Sequence, residues 1–380
     1  MTIRILVLTP TFFPTVGGIE NTLYEIYRRL IKKGYEVDLI MPNIGGKEYE
    51  NIEGINVYRV GKKIHRYVNL FSYTYSFYKK AASLSKNKSY SAMHCNTVVG
   101  VGLAGYMLKK RFHIPLVFTV HHFGTGIDIE SPTENPFGAN FLTKQLLKRA
   151  DSIITASKTQ MDFVNSLDNF KRRRMIPPGV DVSSFSPDKS DKSIKDKYSG
   201  HKLIFSAGRF VKRKNFSDLI GAAGIVCEKY PNVKFLIAGK GPEWENVNAR
   251  IKKDGLEDNA ILLGFLNDEE LSRYYATCDL FASTSLYEGF GLIYIESMSS
   301  GTPVVCYHNE AASEIFEKFP VGYTTNQNPE ELANRIIKLL DDDALLKELG
   351  KKAREVVKNN YTWDLCAKKY DNEFRDFTLK

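Results

Sequence analysis

A chain of 380 residues exceeds one typical domain, so two are expected. Hydrophobic residues at 43% and charged residues at 26% are ordinary for a soluble globular protein and argue against a disordered chain. The net charge of +9 favours an anionic partner: a nucleotide, a phosphorylated lipid, a membrane surface or nucleic acid. No apolar run approaches the roughly 18 residues of a membrane span, and residues 1–10 lack the small-residue cleavage site of a signal peptide. The five cysteines (Cys95, Cys227, Cys278, Cys306, Cys366) are widely spaced and form no Cys-x-x-Cys. That pattern fits reduced core cysteines in a cytoplasmic protein, and neither a disulfide frame nor a zinc site.

Residues 3–8 form a continuous apolar run, as in strands that a parallel sheet buries on both faces. Gly17-Gly18 then leads into a helix reaching about Lys33, with Leu23, Ile26, Tyr27, Leu30 and Ile31 on one face and Gly34 closing it. The glycine pair therefore stands at a strand-to-helix turn on the carboxyl edge of a sheet, where open α/β folds bind ligands. Residues 62–88 contain Lys62, Lys63, Arg66, Lys79, Lys80, Lys86 and Lys88 and no acid, interleaved with Tyr67, Phe71, Tyr73, Tyr75, Phe77 and Tyr78. Two readings stand: a helix with a buried aromatic face and a solvated basic face, or a face including Lys79 and Lys80 that docks on anionic lipid. Such aromatics also suit single-stranded nucleic acid, but no nucleic-acid motif accompanies them and no such partner is expected.

Gly100-x-Gly-x-x-Gly105 matches a dinucleotide fingerprint, which belongs at the first strand and needs an acid about 20 residues on. The next strand, 115–120, ends instead in His121-His122, so the glycines read as close helix packing. Strand alternation points the two histidines oppositely, and His121 is favoured for the ligand edge. Residues 124–138 read as a mobile loop, and 142–149 as a basic helix. Residues 175–181 are stiff and end the first domain, and 183–200 read as linker and loop.

A second sheet starts at residues 203–207, followed by Gly208-Arg209 and a helix entered near Phe216. Arg209 and Lys214 flank this turn; arginine grips phosphate oxygens bidentately and lysine adds a compact charge. Lys212 and Arg213 read as solvated, with Lys212 the alternative to Lys214. The strand 233–238 ends in the turn Gly239-Lys-Gly241-Pro, and another strand ends at Phe265. Asn267 caps a helix. Residues 279–282 form a strand, Glu288-Gly-Phe-Gly291 a loop, and Leu292 to about Ser300 a helix stopped by Gly301. A glycine loop feeding a helix start is an anion site, here the amides around Phe290 to Leu292. Phosphate would repel Glu288 and Glu296, so each is expected to take sugar or ribose hydroxyls. Asp341-Asp342-Asp343 contains a metal-binding Asp-x-Asp pattern but reads as a helix start, and no metal site is expected.

Glu288-x7-Glu296 in the context Glu-Gly-Phe-Gly, with Gly208-Arg209 and a lysine five beyond, resembles the signature of retaining glycosyltransferases of family 4, glycosyl transferases group 1. The resemblance covers nearly the whole chain. It implies the α/β GT-B fold, two Rossmann-like α/β/α domains facing a central cleft. Residues 1–182 would bind the acceptor, 183–362 the donor, and a final helix at about 363–380 would cross back to the first domain. It further implies a UDP-, GDP- or ADP-sugar donor, a glycan or lipid-linked acceptor, no metal or other cofactor, and transfer of a hexosyl or N-acetylhexosaminyl unit with retention. The place would be cell-envelope or glycoconjugate synthesis. By the same resemblance Arg209 and Lys214 clamp the diphosphate, Gly17 and Gly18 lie against it and the acceptor, and His121 contacts the transferring sugar. Gly208, Gly239, Gly241 and Phe265 adjoin the nucleotide, and Glu288, Phe290, Gly291, Leu292 and Glu296 hold the donor. The catalytic set is His121, Arg209, Lys214 and Glu288. The family's usual Glu-Lys-Gly reads here Arg213-Lys214-Asn215. Membrane-associated members resemble residues 62–88, which implies peripheral placement on the inner face of the membrane. Two alternatives are weaker: an NAD(P)-dependent oxidoreductase needs an acid where His121 stands, and a non-catalytic nucleotide-sugar-binding protein should have lost the arginine, lysine or glutamates.

Overall fold

Short apolar runs alternating with amphipathic helices are buried in parallel sheets covered on both faces, and among the described residues the chain builds two such sheets. The computed structural model describes residues 2–15, 17–62, 70–121 and 139–378. The chain divides into one unit of Met1–Pro178 with Trp363–Lys380 and a second of Gly179–Thr362. His122, the expected loop at 124–138, and Lys63, Arg66 and Tyr67 lie outside the described residues.

The first unit runs β1 (Arg4–Leu8), α1 (Gly18–Lys32), β2 (Glu36–Asn43), β3 (Tyr49–Ile52), β4 (Ile55–Lys62), α2 (Leu70–Asn87), β5 (Ala92–Cys95), α3 (Val99–Phe112), β6 (Leu116–Val120), α4 (Ala139–Leu147), β7 (Ser152–Thr155), α5 (Lys158–Leu167) and β8 (Arg173–Met175). The sheet order is β3-β4-β2-β1-β5-β6-β7-β8, parallel except for the β3–β4 hairpin. The chain leaves β1 towards β2 and returns to β5 on the other side, so the loops after β1 and β5 part at a switch point. On α3 a Cβ at Gly102 would stand 2.8 Å from the Phe118 ring, and one at Gly105 2.5 Å from the Cys95 sulfur. The Gly-x-Gly-x-x-Gly run therefore serves close contact between helix and sheet.

The second unit runs α6 (Lys192–Lys197), β9 (Lys202–Ala207), α7 (Phe216–Lys229), β10 (Val233–Ala238), α8 (Trp244–Lys253), β11 (Ala260–Gly264), α9 (Asp268–Thr277), β12 (Leu280–Ser283), α10 (Leu292–Ser299), β13 (Val304–Tyr307), α11 (Glu310–Phe316), β14 (Gly322–Thr325), α12 (Pro329–Leu340) and α13 (Asp343–Asn360). Its sheet is ordered β11-β10-β9-β12-β13-β14, with every pairing parallel. Apolar clusters cover both faces: Phe205, Phe281 and Met298 belong to one, Phe235, Ile237 and Leu332 to the other. Residues 183–200 are not the linker their polarity suggests. Phe185, Ile194 and Tyr198 join the core, and Arg354 donates to the carbonyls of Val182 and Phe185 at 3.3 and 3.2 Å. Asp342 caps α13 by accepting from the Leu345 amide at 2.9 Å, while Asp341 pairs with Lys229 and Asp343 with Lys202.

The last helix, α14 (Trp363–Arg375), packs on α1. Arg29 donates to Asp364 at 2.7 Å, Lys33 to Asp371 at 2.9 Å and Arg172 to Glu373 at 2.7 Å. Beneath them a polar chain crosses the core: the Tyr27 hydroxyl meets His94 Nδ1, His94 Nε2 meets Thr119 Oγ1 at 2.7 Å, and Thr119 meets the Tyr370 hydroxyl at 3.3 Å. Burial holds the His94 pKa down to about 3. The unfolded chain takes up this proton near pH 6.5 and the native chain does not, so stability falls as pH drops below that value. From about pH 6.5 to 5 the loss is about 2 kcal/mol. Urea unfolding of a His94→Gln variant should lose that increment of acid sensitivity, whatever its stability at neutral pH; an unchanged pH slope would show that another group controls it.

Candidate active site

In the second sheet β9 leads outward to β10 and β11, whereas β12 leads the other way to β13 and β14. The loops after β9 and β12 thus lie side by side at the switch point. They are tied together: the Leu286 amide donates to the Arg213 carbonyl at 2.8 Å, and the Thr284 hydroxyl donates to the carbonyls of Lys214 and Asn215 at 3.1 and 2.9 Å. Asn309, which caps α11, donates to the Ser285 carbonyl at 2.9 Å and to the Tyr294 hydroxyl at 3.0 Å.

Lys214 ends a 3-10 turn, Lys212–Lys214, and Asn215 follows at φ +47. Asparagine is among the few L-residues that adopt this left-handed conformation readily, so Asn215 suits the backbone turn that follows Lys214. The turn buries Lys214, 8% exposed, and its ammonium donates to Glu288 Oε1, on a residue also 8% exposed. Lys212 is exposed. Arg213, expected to be solvated, instead reaches the other loop: its Nη1 lies 3.6 Å from Glu288 Oε2 and 3.5 Å from the Tyr287 carbonyl. The adjoining 3-10 residues 213 and 214 both belong to the segment that Leu286 and Thr284 hold, which is why both cations meet one acid. Burial alone would raise the Glu288 carboxyl; the charges of Lys214 and Arg213 outweigh it and hold the group below the usual carboxylate range.

Gly208 and exposed Arg209 lie on the same loop after β9. A Cβ at Gly239 (φ +136) would fall 1.8 Å from the Gly208 carbonyl oxygen, and one at Gly241 2.3 Å from that of Phe210. These glycines let the loop after β10 lie on the loop after β9, with the Phe210 amide donating to the Lys240 carbonyl at 2.9 Å. Phe265 follows β11 and is 62% exposed. Gly291 (φ +78) starts α10 with no side chain capping it. The Phe290 ring packs in the core, its centroid 5.7 Å from that of Tyr361, leaving its backbone for any ligand.

In the first unit Gly17 precedes α1 in an extended conformation and Gly18 begins it. His121 follows β6, and its Nε2 meets Asn96 Oδ1 at 2.8 Å. Asn96 follows β5 and is buried. It was not foreseen, because one asparagine after a strand carries no pattern. On α2 Phe77 is buried and Tyr73 packs on it at 4.7 Å, while Phe71 and Tyr75 are 87% and 61% exposed. Lys79 is exposed; Lys80 places its ammonium 4.3 Å from the Tyr58 ring, and Lys88 pairs with Asp38. Among the described residues no helix is long and apolar enough to cross a membrane.

Glu296, on α10, accepts from the Tyr275 hydroxyl at 3.1 Å. Burial, with Asp268 nearby, pushes its carboxyl up to about 7, against the Tyr275 hydrogen bond. A carboxyl raised above its unfolded value contributes stability at low pH that is lost as pH rises through the folded value. The Tm of Glu296→Gln relative to wild type should therefore climb between about pH 5 and 7.5 and then level off; a constant difference across that range would mean the acid ionises freely.

Family models described as Glycosyl transferases group 1 and Glycosyltransferase Family 4 match residues 188–356 and 16–184. The chain is 24% identical to the alpha-monoglucosyldiacylglycerol synthase of Streptococcus pneumoniae, over 94% of this chain and 83% of that protein. It is 25% identical to the mannosylfructose-phosphate synthase of Agrobacterium fabrum, over 91% and 84%. Among solved structures, sucrose-phosphate synthase from Thermosynechococcus elongatus matches at TM-score 0.86 and 21% identity, over 99% of both chains. Anabaena HepE in complex with UDP and glucose matches at TM-score 0.80 and 20% identity, over 98% of this chain and 99% of that one. With the two family models spanning nearly its whole length and solved relatives sharing its paired parallel sheets, the chain belongs to the group 1, family 4 glycosyltransferases and has the GT-B fold.

Proposed function

We propose that this glycosyltransferase is a retaining enzyme that moves a hexosyl or N-acetylhexosaminyl unit from a nucleoside-diphosphate sugar to a hydroxyl of a glycan or lipid-linked saccharide. The observation that carries this reading is the Lys214–Glu288 pair at the β9/β12 switch point, beside the uncapped start of α10. The HepE structure named above holds UDP and glucose, which supports a donor of this chemistry. As the sugar leaves, its bond to the phosphate oxygen breaks and negative charge grows on the diphosphate. Arg209, Lys214 and the first amides of α10 stabilise that charge, doing the work that a metal ion does elsewhere. The acceptor oxygen bonds on the same face of the sugar, and the departing phosphate oxygen takes the hydroxyl proton. Glu288 and Glu296 take hydroxyls of the donor. By the family resemblance, Gly17 and Gly18 would meet the diphosphate and the acceptor, and His121 would position the transferring sugar.

A lipid-linked acceptor is favoured by one surface: exposed Phe71 and Tyr75 stand four residues apart on α2, with Lys79 four further on. On this reading the enzyme is cytoplasmic and peripheral on the inner face of the membrane. The glucosyldiacylglycerol synthase named above acts, by its name, in making a glycolipid, which supports the same reading.

Arg209→Ala should lower kcat/KM by about a hundredfold or more, as loss of one preorganised donor commonly costs about 3–4 kcal/mol. Turnover within tenfold of wild type would remove Arg209 from the clamp. A thermal-shift panel of UDP, GDP and ADP should single out one nucleotide by its Tm increase; no shift with any of the three contradicts a diphosphate site. Anionic liposomes should float the protein at low salt, and Phe71→Ser combined with Lys79→Glu should weaken this. Equal flotation on neutral lipid counts against the membrane surface.

A further inference from the structure

Glu288 lies in a buried place with two cations, one more than its single charge requires. The Lys214 ammonium is committed to Oε1, whereas the Arg213 guanidinium waits at 3.6 Å from Oε2, outside hydrogen-bond range. Closing that gap by roughly 0.7 Å would give a charge-assisted hydrogen bond. The Arg213 backbone is anchored by the Leu286 amide at 2.8 Å, which keeps the side chain beside the acid.

Resting on the reading that Lys214 serves the donor diphosphate, we propose that Arg213 is a positioning residue that takes over the Glu288 carboxylate when the diphosphate draws on the Lys214 charge. A diphosphate carries at least two negative charges. Once the ammonium serves it, Glu288 keeps less than one compensating charge in a place that excludes water, and it would accept a proton unless another cation replaced what it lost. Arg213 is that cation: it keeps the acid ionised as a hydroxyl acceptor throughout the transfer. Ser285 on its own loop and four neutral acids, Tyr275 on α9, Tyr287, Tyr294 on α10 and Cys306 on β13, also feel the Glu288 charge, while Glu296 on α10, raised to about 7, feels the Lys214 charge and titrates alike in wild type and the Arg213 variants. Burial raises the pKa of all four acids, so none of them supplies positive charge or titrates in the acidic range.

The test is calorimetric binding of UDP, or of GDP or ADP if the thermal-shift panel selects it. Wild type, Arg213→Lys, Arg213→Gln and Lys214→Gln are compared at about pH 6 in two buffers of different ionisation enthalpy. Without Arg213 the bound state holds a proton that the free state lacks, so Arg213→Gln should take up close to one more proton than wild type. Its affinity relative to wild type should fall about tenfold per pH unit from about pH 5.5 to 7, and Arg213→Lys should restore wild-type behaviour. A merely structural arginine would lower affinity without moving the proton count, so an Arg213→Gln variant with wild-type proton uptake overturns the proposal while Lys214→Gln still loses affinity. A Lys214→Gln variant that binds as wild type does overturns the donor reading, and the role of Arg213 with it.

Discussion

A carboxylate taken out of water must meet positive charge or accept a proton, and that constraint organises the loops of the second unit. Glu288 meets it with Lys214 and Arg213, delivered together by one 3-10 turn. The turn depends in turn on Asn215 at positive φ, on Leu286 and Thr284 holding its carbonyls, and on glycines at 239 and 241 that admit the neighbouring loop. Each feature leads back to keeping one charge at one place on the carboxyl edge of a parallel sheet.

The sheets were legible because strands buried on both faces are written as continuous apolar runs, as at residues 3–8 and 203–207. The position of Lys214 was legible from its spacing to Arg209. Arg213 was not, because a cation among cations looks solvated until the fold supplies its partner 75 residues away. Residues 183–200 were misread for a related reason: composition averages over Phe185, Ile194 and Tyr198, three scattered apolar anchors among lysines, aspartates and serines. Gly239 and Gly241 were found as motif residues, but the sequence could not say that their missing side chains make room for backbone. The Tyr27–His94–Thr119–Tyr370 chain left no signal, since its members come from four distant elements.

The two acids at the loop before α10 and on α10 itself differ in a way that spacing alone hides. Glu288, in the loop before α10, is held ionised by two cations, whereas burial and the nearby Asp268 charge favour the neutral form of Glu296, on α10. Two carboxyls eight residues apart thus offer different hydrogen-bonding capacities: an ionised group only accepts, while a protonated one also donates. Near neutral pH one loop and helix thus present both an acceptor-only carboxyl and one that can also donate.

The attachment of α14 to the first unit has a consequence for biosynthesis. Translation yields residues 1–178, then the whole second unit, and only then the helix that covers Tyr27, Tyr35 and His94. At ribosomal speeds that interval is on the order of 10 s or more. During it the nascent first unit lacks the helix that covers these side chains, with the second unit free to fold ahead of it, so chaperones that shield emerging chains have a defined stretch to guard.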